Sequence, residues 1–300
     1  MNNTISRRRL LKGVALIPFL AGGASALGQG TSSPSIKGNI RQAVVYGHGR
    51  IRPMMAEDPD KTGKELLEMG ILGLDLVNPW EWETVQKAGL IVTLSRAQRA
   101  EGRNEEVGMA NGFNHVEFHD QLLELYTDLI PKAAKAGVEQ IICFSGNRRG
   151  KSDDEGIQNC ITGLKRVMPL AEQHKVTLVM ELLNPFGHRD YHADRTAFGA
   201  QIARGLGSER FKLLYDIFHM QLSEGNLIDT IRKNVDVIGH YHTAGAPGRR
   251  DLDEHQEIYY PAVMRAIVET GFKGFVAHEF GPKKPENLES LRHAVGVCDV

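Results

Sequence analysis

Beyond residue 40 the chain alternates short, nearly continuous apolar runs with longer stretches whose apolar positions recur at helical spacing. The short runs predict eight strands, over 43–46, 72–77, 91–94, 140–144, 177–181, 212–216, 237–242 and 275–279. They are apolar along their length rather than at every second position. That is the pattern of a parallel sheet covered by helices. The stretches between them predict helices over 63–69, 81–88, 117–136, 154–174, 195–205, 227–234, 261–270 and 285–294. Gly70, Gly89, Gly137 and Gly271 stand where helices end in a left-handed residue. Asp153 and Asp154 are the candidate N-caps of the fourth helix. Pro131 lies inside the third and predicts a kink or a break. Eight β/α units in roughly 260 residues match the size of a closed (β/α)8 TIM barrel, about 250. The rival is a doubly wound open sheet. Tyr46-Gly47-His48-Gly49-Arg50 follows the first strand, where a dinucleotide-binding sheet carries G-x-G-x-x-G. Residues 41–300 are therefore read as one α/β domain, a single TIM barrel.

The first forty residues read differently. Ser6-Arg7-Arg8-Arg9-Leu10-Leu11-Lys12 precedes an apolar run, and Ala24-Ser25-Ala26 would suit a signal peptidase. The arginines resemble the twin-arginine export motif S-R-R-x-F-L-K, with Leu10 in place of Phe. Residues 1–30 are thus expected to be a twin-arginine signal peptide, 31–40 a linker, and the remainder exported, periplasmic in a bacterium. The expectation carries a corollary about cofactors, because that route moves folded proteins already loaded with them.

Composition narrows the partners. The apolar fraction is 41%, enough for a full core. No apolar run reaches the length of about 18 residues that a membrane span needs. With Arg7, Arg8, Arg9 and Lys12 set aside, the 36 basic side chains become 32 against 37 acidic ones, a net charge of −5. That argues against nucleic acid as the main partner. Cys143, Cys160 and Cys298 lack metal-ligand spacing; one bridge would be compatible with export. Cys143 sits in an apolar run and reads as a small buried hydrophobe.

The candidate chemistry lies at strand ends. The late strands run Val176-Thr177-Leu178-Val179-Met180-Glu181, Leu213-Leu214-Tyr215-Asp216, Ile238-Gly239-His240-Tyr241-His242 and Phe275-Val276-Ala277-His278-Glu279. In a barrel these C-terminal ends form the functional face. Glu181, Asp216, His242 and Glu279 would meet there, and charged groups ending apolar strands are costly unless paired or metal-bound. Three carboxylates and one imidazole suit one divalent ion, Mn²⁺, Mg²⁺ or Co²⁺, with Zn²⁺ as an alternative. His240 shares a face with His242 but lies deeper, so it is expected behind the ligand or in the barrel core. Arg96, Asn114, His115, Asn147, Arg148 and Arg149 are substrate-loop candidates, and Trp80 and Trp82 could wall a pocket or merely pack.

Taken in order, four runs resemble the hydroxypyruvate isomerase family. They are Met180-Glu181-Leu182-Leu183-Asn184; Tyr215-Asp216-Ile217-Phe218-His219-Met220-Gln221; His240-Tyr241-His242-Thr243 through Pro247-Gly248-Arg249 and Glu257-Ile258-Tyr259-Tyr260-Pro261; and Gly274-Phe275-Val276-Ala277-His278-Glu279. That family sits among the xylose isomerase-like TIM barrels with ketose 3-epimerases and inosose dehydratases. The resemblance covers roughly residues 41–282. It implies that Glu181, Asp216, His242 and Glu279 hold one metal, that Glu181 and Glu279 are the acid/base pair, and that His219, Arg249 and Glu257 bind substrate. Some hydroxypyruvate isomerases carry Gln where His242 stands; His there is closer to the epimerases. The implied reaction turns hydroxypyruvate into tartronate semialdehyde through an enediolate. The same site would also serve a keto-sugar epimerase, dehydratase or β-eliminating lyase. A nuclease of this superfamily would need further histidines on the early strands, where Asn78, Ser95 and Asn147 stand instead. Sequence leaves a homo-oligomer open.

Overall fold

The computed structural model describes residues 36–99 and 106–300. The signal-peptide reading of 1–30 and most of the 31–40 linker lie outside the described residues. Residues 37–39 are tied to the chain's end: the Lys37 N–H donates to the Asp299 carboxylate at 2.8 Å, and Asn39 Nδ2 to the Val300 carbonyl at 2.8 Å.

All eight strands form, as β1 Arg41–Val45, β2 Ile71–Asp75, β3 Ile91–Val92, β4 Gln140–Cys143, β5 Thr177–Glu181, β6 Phe211–Asp216, β7 Ile238–Thr243 and β8 Phe275–His278. They are parallel, and the ladder runs β3-β2-β1-β8-β7-β6-β5-β4. Ser95 closes the seam between its two ends. Its N–H donates to the Gln140 carbonyl at 2.9 Å, and its carbonyl accepts from Ile142 N–H at 3.0 Å. A closed ring leaves no open edge inside the molecule.

Among the described residues ten α-helices accompany the strands: α1 Ile51–Glu57, α2 Pro59–Met69, α3 Trp82–Lys87, α4 His119–Lys135, α5 Asp153–His174, α6 Thr196–Leu206, α7 Ile217–Ser223, α8 Leu227–Lys233, α9 Tyr260–Glu269 and α10 Glu289–Cys298. Two of these, α1 and α7, were not expected. Each spans only seven residues, about two turns, and follows a strand closely. Elsewhere local chemistry decides the ends. Asp58 accepts a hydrogen bond from Lys61 N–H at 3.0 Å, and Pro59 stands at the first helical position, where its missing N–H costs nothing. Two expectations change. Helix α4 continues through Pro131 as one element, without a break. The N-cap of α5 is Ser152, whose hydroxyl accepts from Glu155 N–H at 3.2 Å, while Asp153 and Asp154 occupy the first turn and favour the positive end of the helix. The three cysteines are free and buried, without a bridge.

Val45, Leu76, Leu94, Ile142, Val179 and Leu214 pack together as an apolar layer contributed by successive strands or the residues that end them. Side chains two apart on a strand share a face. Glu181 therefore stands above Val179, and Asp216 above Leu214, on the side of the barrel interior. The larger core fills the space between sheet and helices. Among the described residues no helix is long and apolar enough to cross a membrane.

Candidate active site

Strand register assembles the site. Asp216 faces His242 across the β6/β7 ladder, and the Glu279 N–H donates to the Thr243 carbonyl at 2.9 Å, placing Glu279 just beyond the end of β8. Oxygens of Glu181, Asp216 and Glu279 and one nitrogen of His242 lie within 4.8 Å of one another. His242 Nδ1 is 2.7 Å from Glu279 Oε2, 3.8 Å from Glu181 Oε1 and 4.0 Å from Asp216 Oδ2. This nitrogen is buried and makes no well-formed hydrogen bond. An imidazole nitrogen left so, among three carboxylates, fits a divalent cation.

Asp216 divides its two oxygens. Oδ1 caps α7 by accepting from His219 N–H at 3.1 Å, and Oδ2 turns to the site. Helix α7 in turn carries His219. Both the backbone and the side-chain amide of Asn184 approach His219 Nδ1, at 3.1 and 2.6 Å. They occupy its acceptor side, so the ring proton sits on Nε2. Nε2 is buried, unpartnered and 3.6 Å from Asp216 Oδ2. Burial lowers His219 from 6.5 to about 4, so the ring is neutral and offers one N–H to a ligand oxygen. Asn184 Oδ1 also accepts from Phe186 and Gly187 N–H at 3.0 and 2.8 Å, folding the loop after β5.

Arg249 supplies the positive charge. Its Nη2 lies 2.8 Å from Asp216 Oδ2 and 2.7 Å from Glu279 Oε2. The backbone at Arg249 is left-handed, with φ 56°, a conformation that an arginine adopts only when its surroundings enforce it. The carboxylates are not equivalent. Burial and the neighbouring Glu279 push Glu181 up to about 8. Burial would raise Glu279 as well, but His242 and Arg249 outweigh it and hold Glu279 below the usual carboxylate range. Asp216 is held low against its burial by His219, Arg249 and His242.

These groups open into a cavity of about 970 Å³ lined by Glu181, Glu279, Arg249, His188, Arg96 and Trp80, among others. Glu257, expected at the substrate, stands outside it: the side chain is exposed and accepts from Gln221 Nε2 at 3.2 Å. The two tryptophans separate. Trp80 is 51% exposed on the cavity wall, whereas Trp82 is buried and donates to Ser95 Oγ at 3.2 Å. Asn114 and His115 turn away into the Asn147 carbonyl, and Arg148 pairs with Asp153. His188, which also lines the cavity, packs its ring 5.2 Å from that of His219.

The chain belongs to the xylose isomerase-like TIM barrel family, whose model matches residues 85–296. Among its curated relatives, the hydroxypyruvate isomerase of Escherichia coli K12 is 27% identical over 152 residues, 50% of this chain and 58% of that protein. The 2-oxo-tetronate isomerase of Cupriavidus necator is 28% identical over 108 residues, 36% of this chain and 41% of that protein. The chain thus aligns with about half the length of these relatives. Among solved structures, a family 2 AP endonuclease from Brucella melitensis superposes with a TM-score of 0.71 at 18% identity, over 83% of this chain and 97% of that one, a likeness of fold.

Proposed function

We propose that this protein is a metal-dependent isomerase that moves a carbonyl between adjacent carbons of a small hydroxy-carbonyl compound, hydroxypyruvate to tartronate semialdehyde being the simplest case. The observation carrying the proposal is the meeting of Glu181 and Glu279, from strands three places apart, with Asp216 and His242 around a single centre. Isomerisation of this kind removes a proton α to a carbonyl and returns one to the neighbouring carbon. One glutamate takes the proton and the other group of the pair returns it. A bound Mn²⁺, Mg²⁺, Co²⁺ or Zn²⁺ would supply charge stabilisation to the enediolate oxygens. The His219 Nε2–H and the Arg249 guanidinium hold substrate oxygens in register with the two carboxylates.

The size of the cavity, about 970 Å³, favours a second reading, a four- to six-carbon sugar or sugar acid turned over at the same centre as an epimerase, dehydratase or lyase would. The export reading rests on residues 1–30 alone and is tested by fractionating cells that express the full chain.

Glu181→Gln and Glu279→Gln are each expected to lower kcat by about 10²–10⁴ with the circular dichroism unchanged. Turnover in D₂O should place deuterium on the product carbon. Isomerisation with no solvent deuterium in the product, or full activity in either variant, would remove the proton-transfer roles.

A further inference from the structure

Below the four-residue centre lies a second buried cluster, and the reaction above leaves it without a task. Asp75 ends β2, and His240 and His242 both project from β7. All three are fully enclosed. A single oxygen, Asp75 Oδ2, lies 2.8 Å from His242 Nε2 and 3.0 Å from His240 Nε2. The other oxygen, Oδ1, meets the Thr93 hydroxyl from the end of β3. On the far side, His240 Nδ1 meets Gln140 Oε1 at 2.9 Å, and Gln140 Nε2 donates to the Gly239 carbonyl at 3.1 Å. Asp75 is thus held from three strands, β2, β3 and β7.

Asp75 occupies the Nε2 side of His242, and Nδ1 is left facing the centre. With a cation on Nδ1, the ring's one proton is on Nε2, where the Asp75 oxygen accepts it. Nδ1 is the atom aimed at Glu181, Asp216 and Glu279. A free imidazole populates both tautomers and rotates about two bonds; this one has both choices removed. We propose that Asp75 is a positioning residue for the cation centre: its carboxylate fixes His242 as the Nε2–H form and holds the ring so that Nδ1 is delivered to the ion. The inference rests on the cation reading above and adds to it a residue from the opposite half of the sequence. Hydrogen-bonded partners of this kind change metal affinity by about 10–100-fold in other metal sites. His240 shares the same oxygen but points away from the centre, so its part is to pin the carboxylate's orientation.

The test uses the full chain, freed of metal by chelation, with Mn²⁺ titrated by calorimetry and thermal unfolding recorded in parallel. Asp75→Asn is expected to weaken Mn²⁺ binding by about 10–100-fold. His240→Gln, which leaves the Asp75 to His242 contact in place, should change it by less than about threefold. Tight, unchanged Mn²⁺ binding in Asp75→Asn, with only the unfolding temperature lowered, would overturn the positioning role and leave the cation reading standing. A wild-type chain that binds no divalent ion overturns both. Should Asp75→Asn fail to fold, the wild type decides the matter by itself. In the Mg²⁺- or Zn²⁺-loaded protein, ¹⁵N-coupled imidazole resonances should show His242 protonated at Nε2 only. A proton on Nδ1 in that state would sink the inference.

Discussion

Asp216 illustrates how single residues here serve two structures at once: one oxygen ends a strand's trajectory by capping α7, and the other joins the charged centre. Asn184 behaves similarly, folding its own loop with the carbonyl and setting the His219 tautomer with its amides. Arg96 is a third case. Its Nε donates at 3.0 Å to the carbonyl of Leu76, a leucine held in the left-handed region with φ 52°. Among the described residues its remaining guanidinium nitrogens make no ion pair or hydrogen bond, and the side chain lines the cavity. A planar fork oriented this way matches a carboxylate. For a substrate carrying one, Arg96→Met should raise KM by about tenfold and move kcat less than twofold; charge-assisted hydrogen bonds contribute about 1.5–3 kcal/mol, and partial exposure puts this one at the low end. Equal KM values for wild type and variant would detach Arg96 from substrate binding. The sequence marked Arg96 as a loop candidate alongside Arg148 and Arg149. Nothing in their spacing separated them, because the distinction lies in what each meets across the barrel mouth.

Helix packing depends on close approaches that a sequence pattern does not display. A Cβ placed on Gly63 of α2 would come within 2.0 Å of the Ala88 carbonyl oxygen, which follows α3. Intrinsic propensity favours Gly63→Ala by about 1 kcal/mol. The clash is with backbone rather than a flexible side chain, so overpacking, about 1–3 kcal/mol, should win. Chemical denaturation of Gly63→Ala is therefore expected to show a net loss of stability, and a gain would mean that α2 and α3 pack less closely than described. Long helices were legible because their apolar stripe repeats over several turns. The unread α1 and α7 owe their form to tertiary surroundings and, in α7, to the Asp216 cap. The passage of α4 through Pro131 follows the same logic: the buried face on both sides of the proline, Leu129 and Ile130 before it and Ala133 after, holds the helix across the lost hydrogen bond.

At the scale of the molecule, the first and last strands meet in the middle of the ladder. Gln42 of β1 accepts from His278 of β8 at 3.0 Å, and His48, in the loop after β1, packs edge-on against Phe280 at 4.6 Å. Burial takes His48 from 6.5 down to about 4. The unfolded chain then binds the proton more readily than the folded one. The associated stability is complete above pH 6.5 and is lost as pH falls toward 4. Thermal unfolding followed across that window should show a declining midpoint, with a shallower decline in His48→Asn. Parallel profiles for the two proteins would count against His48 as a source of acid sensitivity.

The sequence by itself determined the eight strands, the helices long enough to repeat their stripe, and the four ligand-type residues at consecutive late strand ends. Each of these is set by periodicity or by position on its own strand, which are local properties. The tertiary structure decided what no local rule could. The curl of the sheet brought Asp75 to His242, 167 residues away, and the loop after β7 turned Arg249 onto Asp216 and Glu279 while Glu257 stayed outside the cavity. Those pairings depend on shear and loop geometry around a ring. A chain reads its own strand ends one at a time, and only the closed barrel brings them face to face.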